Sequence, residues 1–277
     1  MEIKSILPQN EENIQKPLYS FALSLIGAVS SELFLRNFLE ADALMFSFAR
    51  VSVIAIALFV VHRFALESLY SYRPTLKDLL TLTSILVGTV AMISLGRLVC
   101  LSIISYIKSI NSGDFAHFAN FLKPDNVYYA IPFSAGGILI QAIMGIEFAL
   151  VFGVSLALIV GVYFPNDIVL PAFVIATTFI GSLGMIKDRS RSAYIKASVN
   201  VAIVTLLFIL TKIGFSPEST FIDLLIGILC AALNGMLCSF VVAGIAPVIE
   251  YIGGYVTDMT LLEIATLDHP LLKDLSV

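Results

Sequence analysis

The sequence has no tryptophan and few charged side chains, and it contains only three cysteines and three histidines. Charged residues make up 13% of the chain, whereas soluble domains carry about 25%. The net charge of −4 argues against a nucleic-acid-binding protein, which requires a basic surface. Cys100, Cys230 and Cys238 show no CxxC spacing and no neighbouring histidine, so we expect buried, inert thiols rather than a metal or redox site.

Long apolar runs make up most of the sequence. Hydrophobic residues make up 58% of the chain, and the mean hydropathy is +0.97. These values predict an all-α, polytopic helical membrane protein. Because a bilayer core needs about 20 apolar residues per helix, we predict a domain of seven transmembrane helices over residues 44–250. The predicted spans are Leu44–Phe64, Leu79–Ser105, Tyr129–Met144, Ile146–Phe164, Ile168–Met185, Ala193–Thr211 and Leu224–Val248.

Residues 1–43 are predicted to form an N-terminal extracytoplasmic segment. The uncharged part of this segment ends before Glu32 and Arg36 and is short for a span. An interfacial amphipathic helix is the preferred interpretation, and an eighth span with a cytoplasmic N-terminus is the alternative. The apolar stripe of this helix consists of Phe21, Leu25, Val29 and Leu33.

The distribution of lysine and arginine predicts the orientation. Two loops on the same side of a seven-span topology are rich in these residues, namely the loops after the first and the fifth span. By the positive-inside rule, this side and the C-terminus are expected in the cytoplasm. The residues concerned are Arg63, Arg73, Lys77, Lys187, Arg189 and Arg191.

Four polar side chains fall inside the predicted spans and are candidate functional residues. Arg50 and Arg97 lie about 9 Å and about 12 Å from the outer ends of their spans at the helical rise per residue. They are expected either to reach the outer interface and pair with Glu40 or Asp42, or to form an outward-facing anion pocket. Asn200 and Asn234 are expected to join helices by hydrogen bonds.

The last span carries small residues at intervals of four, a pattern that permits close helix packing. The contact is either internal to the bundle or the seam of a homodimer. The stripe consists of Gly227, Ala231, Gly235 and Ser239.

The segment 251–277 is predicted to be a cytoplasmic connector. Gly253-Gly254 is typical of a helix C-cap, and Thr260 followed by Glu263 forms a capping box that predicts a short helix. Asp268 and Pro270 indicate a second helix start.

The connector and the helix before it resemble the junction in the bacterial seven-transmembrane receptors with an intracellular HD hydrolase domain. The resemblance rests on Asn234-Gly235, on Pro247, and on a string of residues in the connector. The string comprises Thr257, Asp258, Thr260, Leu261, Leu262, Glu263, His269, Pro270, Leu271 and Leu272.

This resemblance implies a sensory or anchoring membrane module that relays an outer signal to a cytoplasmic cyclic-dinucleotide phosphodiesterase domain, in cis or in trans. Family members carry a large extracellular domain before the seven spans and an HD domain after the connector, and we expect neither among these 277 residues. HD chemistry requires a metal site with a His-Asp pair, and none of His62, His117 and His269 is followed by Asp. We therefore expect no cofactor and no hydrolase activity from these residues alone.

A free-standing transporter or channel-like protein is the alternative function. A proton- or sodium-coupled transporter usually needs a carboxylate near the middle of the membrane, and the predicted spans hold none there. The capped connector favours the receptor module, since a transporter has no need of it. The expected partners are the lipid bilayer, an HD domain and a second copy of the chain, with no nucleic acid.

Overall fold

A computed structural model describes residues 9–36, 44–109, 124–165, 167–186, 192–214 and 220–255. These residues form helices and short turns and contain no strand, which confirms the all-α prediction. The helices are α1 Gln9–Leu35, α2 Leu44–Ser68, α3 Leu76–Ser109, α4 Pro124–Val127, α5 Ala135–Met144, α6 Ile146–Tyr163, α7 Val169–Met185, α8 Ser192–Gly214 and α9 Phe221–Gly253. A 3₁₀ helix, Tyr128–Ala130, lies between α4 and α5.

Six of the described helices are long and apolar enough to cross a membrane, which confirms a polytopic helical membrane protein. They are α2, α3, α6, α8, α9 and the part of α1 from Pro17 to Leu35. Two further apolar helices are shorter, Tyr128–Met144 and Val169–Met185. Large apolar side chains such as Phe46, Phe64 and Phe240 remain exposed on the outside of the bundle, where lipid would cover them.

Helix α1 runs antiparallel to α2 and packs along both α2 and α3. Near one end Ser20 contacts His62, and twelve residues further along Glu32 contacts Arg50. The two pairs are in the register of an antiparallel helix pair, and they lie about 18 Å apart along α1 at 1.5 Å per residue. A helix lying flat on the membrane surface could not make both contacts. The packing therefore supports the alternative of an eighth span rather than the interfacial helix that the sequence favoured.

The third predicted span, Tyr129–Met144, is not a continuous helix. Pro132 has no N–H and disfavours helical geometry at the residue before it, and Ile131 accordingly adopts an extended conformation with φ −72° and ψ 131°. The chain passes through the 3₁₀ helix and a bend before α5 begins at Ala135. The prediction of one helix is corrected to a broken span, because local proline geometry overrides the apolar composition.

The broken span nevertheless crosses the same depth as α6. The two segments are joined by a tight turn at Gly145, which has φ +100°, a conformation that L side chains rarely adopt. At the opposite end, the rings of Tyr128 and Phe164 lie 5.9 Å apart. The hairpin predicted at Met144-Gly145-Ile146 is therefore confirmed.

The broken span lies at the centre of the bundle, and every residue from 129 to 140 is buried. Gly136 and Gly137 allow this position. A Cβ atom at Gly136 would collide with Thr89 of α3 and Phe152 of α6, and one at Gly137 would collide with Thr178 of α7. The absence of these side chains lets three helices approach the short helix α5 closely.

Helices α8 and α9 share the most extensive helix–helix contact in the described fold. Thr220 and Asp223 form a capping box that fixes the start of α9. The small-residue stripe of α9 faces α8. A Cβ atom at Gly235 would lie 2.6 Å from the carbonyl oxygen of Ser198 and 2.9 Å from Cβ of Ala202. Gly227, Ala231 and Gly235 are all buried, so the structure supports the internal contact rather than a dimer seam.

Candidate functional site at the exit of the last helix

Helix α9 ends in a glycine cap where the chain leaves the bundle. Gly254 has φ 58° and ψ 36°, the left-handed conformation that glycine adopts without steric cost, and its N–H donates to the carbonyl oxygen of Glu250. This confirms the prediction that Gly253-Gly254 terminates the helix. The connector residues that follow, Thr257, Asp258, Thr260, Glu263, His269 and Pro270, lie outside the described residues.

The exit of α9 is held against the start of α3 by a group of contacts that we term the exit clamp, formed by Lys77, Asp78, Thr81, Gly254 and Tyr255. The Tyr255 hydroxyl donates to Asp78 Oδ1 at 2.8 Å and lies 3.3 Å from Thr81 Oγ1. Lys77 Nζ donates to the Gly254 carbonyl oxygen at 3.4 Å and lies 4.2 Å from the centre of the Tyr255 ring. The clamp thus combines hydrogen bonds with a cation–π contact.

The α3 side of the exit clamp is rigid because Asp78 also takes part in a helix cap. Its Oδ2 accepts hydrogen bonds from the backbone N–H and the hydroxyl of Thr75, both at 2.8 Å. On the α9 side, burial raises the pKa of Tyr255 above its ordinary value, and the adjacent Asp78 carboxylate acts in the same direction. The phenol therefore stays protonated at neutral pH and can donate to the carboxylate.

The exit clamp places the loop between α2 and α3 at the same end of the bundle as the exit of α9. The sequence analysis assigned both to one side of the membrane, and the contact between Lys77 and Gly254 confirms that they share a side. Arg73 belongs to this loop and donates to the Leu66 carbonyl oxygen at 3.2 Å.

A second polar group lies at the opposite end of the bundle. Arg50 forms a salt bridge with Glu32 at 2.7 Å, and the Tyr163 hydroxyl donates to the same carboxylate at 2.6 Å. This three-residue network joins α1, α2 and α6. Glu32 is thus a described carboxylate partner of Arg50, one that the sequence analysis did not consider, while Glu40 and Asp42 lie outside the described residues. The pairing accounts for Arg50 without an anion pocket.

The other embedded polar residues predicted from the sequence are dispersed. Asn234 Nδ2 donates to the carbonyl oxygens of Tyr129 and Ile131 at 2.7 Å and 3.1 Å, which confirms that it joins helices by hydrogen bonds. Asn200 lies beside Gly184 of α7, with its Nδ2 3.1 Å from where a Cβ atom at that glycine would stand. Arg97 is partly buried in α3.

The sequence analysis missed a polar group around His62. In the structure His62 is buried between the Ser20 hydroxyl, 3.0 Å from Nε2, and the Tyr72 hydroxyl, 2.9 Å from Nδ1. These contacts tie α1 to α2 and to the loop before α3. A signal for this group was present in the sequence. Ser20 and Glu32 are twelve residues apart, and so are Arg50 and His62, as two antiparallel helices require if Ser20 is to meet His62 and Glu32 is to meet Arg50.

Cys100, Cys230 and Cys238 are buried, as the sequence predicted, and all three are free thiols. Within the described ranges, no three His, Cys, Asp or Glu side chains come together in a group that could hold a metal ion. His117 and His269 lie outside those ranges.

The fold and the exit clamp together define the class of the protein. It is a polytopic α-helical membrane protein in which the end of the last span is held against the start of α3. The sequence profile of the family described as "7TM receptor with intracellular HD hydrolase" matches residues 44–257, which is most of the chain. The chain therefore belongs to this family of seven-transmembrane receptors. The match begins at α2, so α1 precedes the family region.

One curated relative of the chain is the cyclic-di-AMP phosphodiesterase PgpH of Bacillus subtilis (strain 168). It is 25% identical over 160 residues, an alignment that covers 55% of this chain and 22% of the relative. The chain thus matches only about a fifth of the length of that relative. No solved structure matches the chain significantly.

Proposed function

We propose that this chain is the membrane module of an HD-type receptor and that it relays an outer signal through α9 to a cytoplasmic cyclic-dinucleotide phosphodiesterase domain, in cis or in trans. The exit clamp is the observation that carries the proposal. It ties the point where the chain leaves the membrane to the start of α3 through Tyr255 and Asp78. A signal that shifts α3 relative to α9 would therefore change the position from which the connector starts.

The proposed orientation places the exit clamp in the cytoplasm. Arg63, Arg73 and Lys77 lie at that end of the bundle, and the positive-inside rule assigns such an end to the cytoplasm of a bacterial inner-membrane protein. The Glu32, Arg50 and Tyr163 network then lies toward the outside. The membership of the family and the relative PgpH support a hydrolase domain as the recipient of the signal.

The test is a fusion of the full chain, after Val277, to the HD domain of PgpH, with hydrolysis of cyclic di-AMP measured in membranes. Tyr255→Phe removes the hydroxyl that bonds Asp78 and Thr81 and keeps the ring on Lys77. One hydrogen bond contributes about 0.5–1.5 kcal/mol, so we expect turnover to change by about two- to tenfold.

Tyr251→Phe is the matched control, because Tyr251 lies one helical turn earlier and is 90% exposed. It should leave turnover unchanged. Replacement of Gly253-Gly254 by Ala-Ala should act like Tyr255→Phe, because a Cβ atom at Gly253 would lie 2.6 Å from the Tyr255 ring. If all of these fusions hydrolyse cyclic di-AMP at the rate of the free HD domain, the membrane part is a passive anchor and the relay is rejected.

A further inference from the structure

A groove of about 920 Å³ opens between α3 and α9 and has α5 as its floor. This volume falls within the range of about 300–1,000 Å³ that is typical of small-molecule sites. Its walls include Leu80, Ile85 and Met92 of α3 and Val241 and Ile245 of α9. Helices α3 and α9 do not pack against each other along their length, so the groove faces outward from the bundle.

The surface of the groove is more apolar than the residue types that line it suggest. Three hydroxyl groups line it, on Thr81, Ser84 and Thr89, and each donates to the carbonyl oxygen four residues earlier in α3 at 2.8–3.0 Å. With these hydroxyls satisfied within their own helix, the walls present mainly methyl and methylene groups. Hydrocarbon rather than a polar solute therefore fits the interior.

The length of the groove matches one leaflet of a bilayer. From Lys77 to Met92 the α3 wall rises about 22 Å, and from Val241 to Gly253 the α9 wall rises about 18 Å, at 1.5 Å per residue. One leaflet of the hydrocarbon core is about 15 Å thick, so the groove covers its depth and reaches the headgroup level. Gly88 on the rim has no atom within 4 Å of a Cβ position, which leaves the wall open to the lipid phase.

Lys77 is the one charged side chain among the lining residues, and it stands at the end of the groove beside the exit clamp. Its amine contacts the Gly254 carbonyl oxygen and the Tyr255 ring, which are neutral, and it interacts electrostatically with the Asp78 carboxylate. The oxygens of that carboxylate already accept hydrogen bonds from Thr75 and Tyr255. The N-terminus of α3 adds partial positive charge at the same point. This end of the groove is therefore complementary to an anion.

We propose that the groove binds a phospholipid with an anionic headgroup, taken from the surrounding bilayer. The acyl chains lie between α3 and α9, and the headgroup phosphate binds the amine of Lys77. Lys77 also donates a hydrogen bond to the Gly254 carbonyl oxygen in the exit clamp. The bound headgroup therefore competes with Gly254 for the Lys77 amine. The site stands independently of the relay function and requires no HD domain.

The test uses the purified full chain in detergent, titrated with phosphatidylglycerol or with phosphatidylcholine of the same acyl chains, and counts bound lipids by native mass spectrometry. We expect phosphatidylglycerol to bind about fivefold more tightly, the increment expected of one lysine near an anionic headgroup. Lys77→Gln should abolish this preference and keep the binding of both lipids. Arg63→Gln, which removes a neighbouring exposed charge paired with Glu67, should preserve the preference.

Gly88→Leu should fill the groove and remove the bound lipid. Gly244→Leu is the matched control, since Gly244 also has open space around a Cβ position and does not line the groove. Ser84→Leu fills the same wall from an exposed position and must act in the same direction as Gly88→Leu. Equal affinity of the native chain for both lipids would overturn the proposal, as would lipid binding that survives Gly88→Leu and Ser84→Leu. A lipid-free dimer that these two variants dissociate would assign the groove to a second copy of the chain instead.

Discussion

At the scale of single residues, the charged pair within the bundle is held by side chains from different helices. Glu32, Arg50 and Tyr163 come from three helices, and the side chains of Glu32 and Arg50 are only 12% and 15% exposed. Taking such charges out of water is costly, so the pair is stabilising only while both members are present. Removing one member is therefore expected to lower the free energy of unfolding by much more than the pair contributes to it.

We predict that Glu32→Gln lowers the free energy of unfolding by about 3 kcal/mol, because it leaves the Arg50 guanidinium without its carboxylate. Reversible unfolding in mixed micelles containing sodium dodecyl sulfate measures this change. The double variant Glu32→Leu with Arg50→Met should recover most of the loss, since no uncompensated charge remains. A double variant that is as unstable as the single one would contradict this account.

The start of the broken third span is bonded to α9 by one side-chain amide, that of Asn234. Asn234→Leu should destabilise the protein by about 1–3 kcal/mol, because the Tyr129 and Ile131 carbonyl oxygens each lose the hydrogen bond from the Asn234 amide inside the bundle, while Ile131 keeps the one from the Phe133 N–H. The thermal unfolding midpoint in detergent reports the change. Asn200→Leu is the control, since no hydrogen bond of its side chain is seen in the described part of the chain. Equal shifts for the two variants would show that Asn234 has no special role.

At the scale of helices, close packing is achieved where glycine replaces a side chain. Helices α8 and α9 meet at Gly235, and α5 is surrounded through Gly136 and Gly137. Interiors of this kind transmit small shifts because side chains have no room to absorb them. The exit clamp lies at the C-terminal end of α9 and ties that end to α3.

Gly235→Leu should destabilise the bundle by at least about 2 kcal/mol, because the new side chain overlaps the Ser198 carbonyl oxygen and cannot be accommodated by a change of rotamer. Gly244→Leu on the same helix meets no neighbour and should be tolerated. Unfolding midpoints of the two variants give the comparison. Since the stripe faces α8, we also expect no cross-linked dimer through Ser239→Cys. A dimer band that Gly235→Leu removes would reinstate the dimer seam.

At the scale of the whole molecule, α1 completes the bundle although it precedes the family region. It contacts α2 through Ser20, near the start of its apolar part Pro17–Leu35, and through Glu32, near its end. This register places the start of α1 at the same end as the exit clamp. Six described helices are long and apolar enough to cross a membrane, and two shorter apolar segments pack among them. This packing supports a bundle of eight crossings.

We predict that cysteines introduced at Gln9, Arg73 and Arg189 are all shielded from membrane-impermeant thiol reagents in intact cells, whereas one at Asn111 reacts. The three native cysteines are buried and should give a low background. Labelling is measured before and after the cells are opened, and opening should expose the three shielded sites. Reaction of Gln9→Cys in intact cells would restore the surface helix, and reaction of Arg189→Cys would overturn the orientation.

The sequence by itself determined the class of the protein, most of the spans and the glycine that ends α9. Partition into a bilayer depends on the composition of each segment of about 20 residues, and a C-cap depends on a single left-handed residue, so both are local properties. The break at Pro132 was also local, but the apolar run concealed it.

The tertiary structure alone decided the partner of Arg50, the burial of His62, the place of α1 and the side to which the glycine stripe turns. Each of these depends on contacts between segments far apart in the chain, such as Glu32 with Tyr163 and Tyr255 with Asp78. In a bilayer, lipid and apolar side chains offer similar surroundings, so hydropathy does not say which face of a helix meets protein. Packing shape and a few buried polar pairs make that choice.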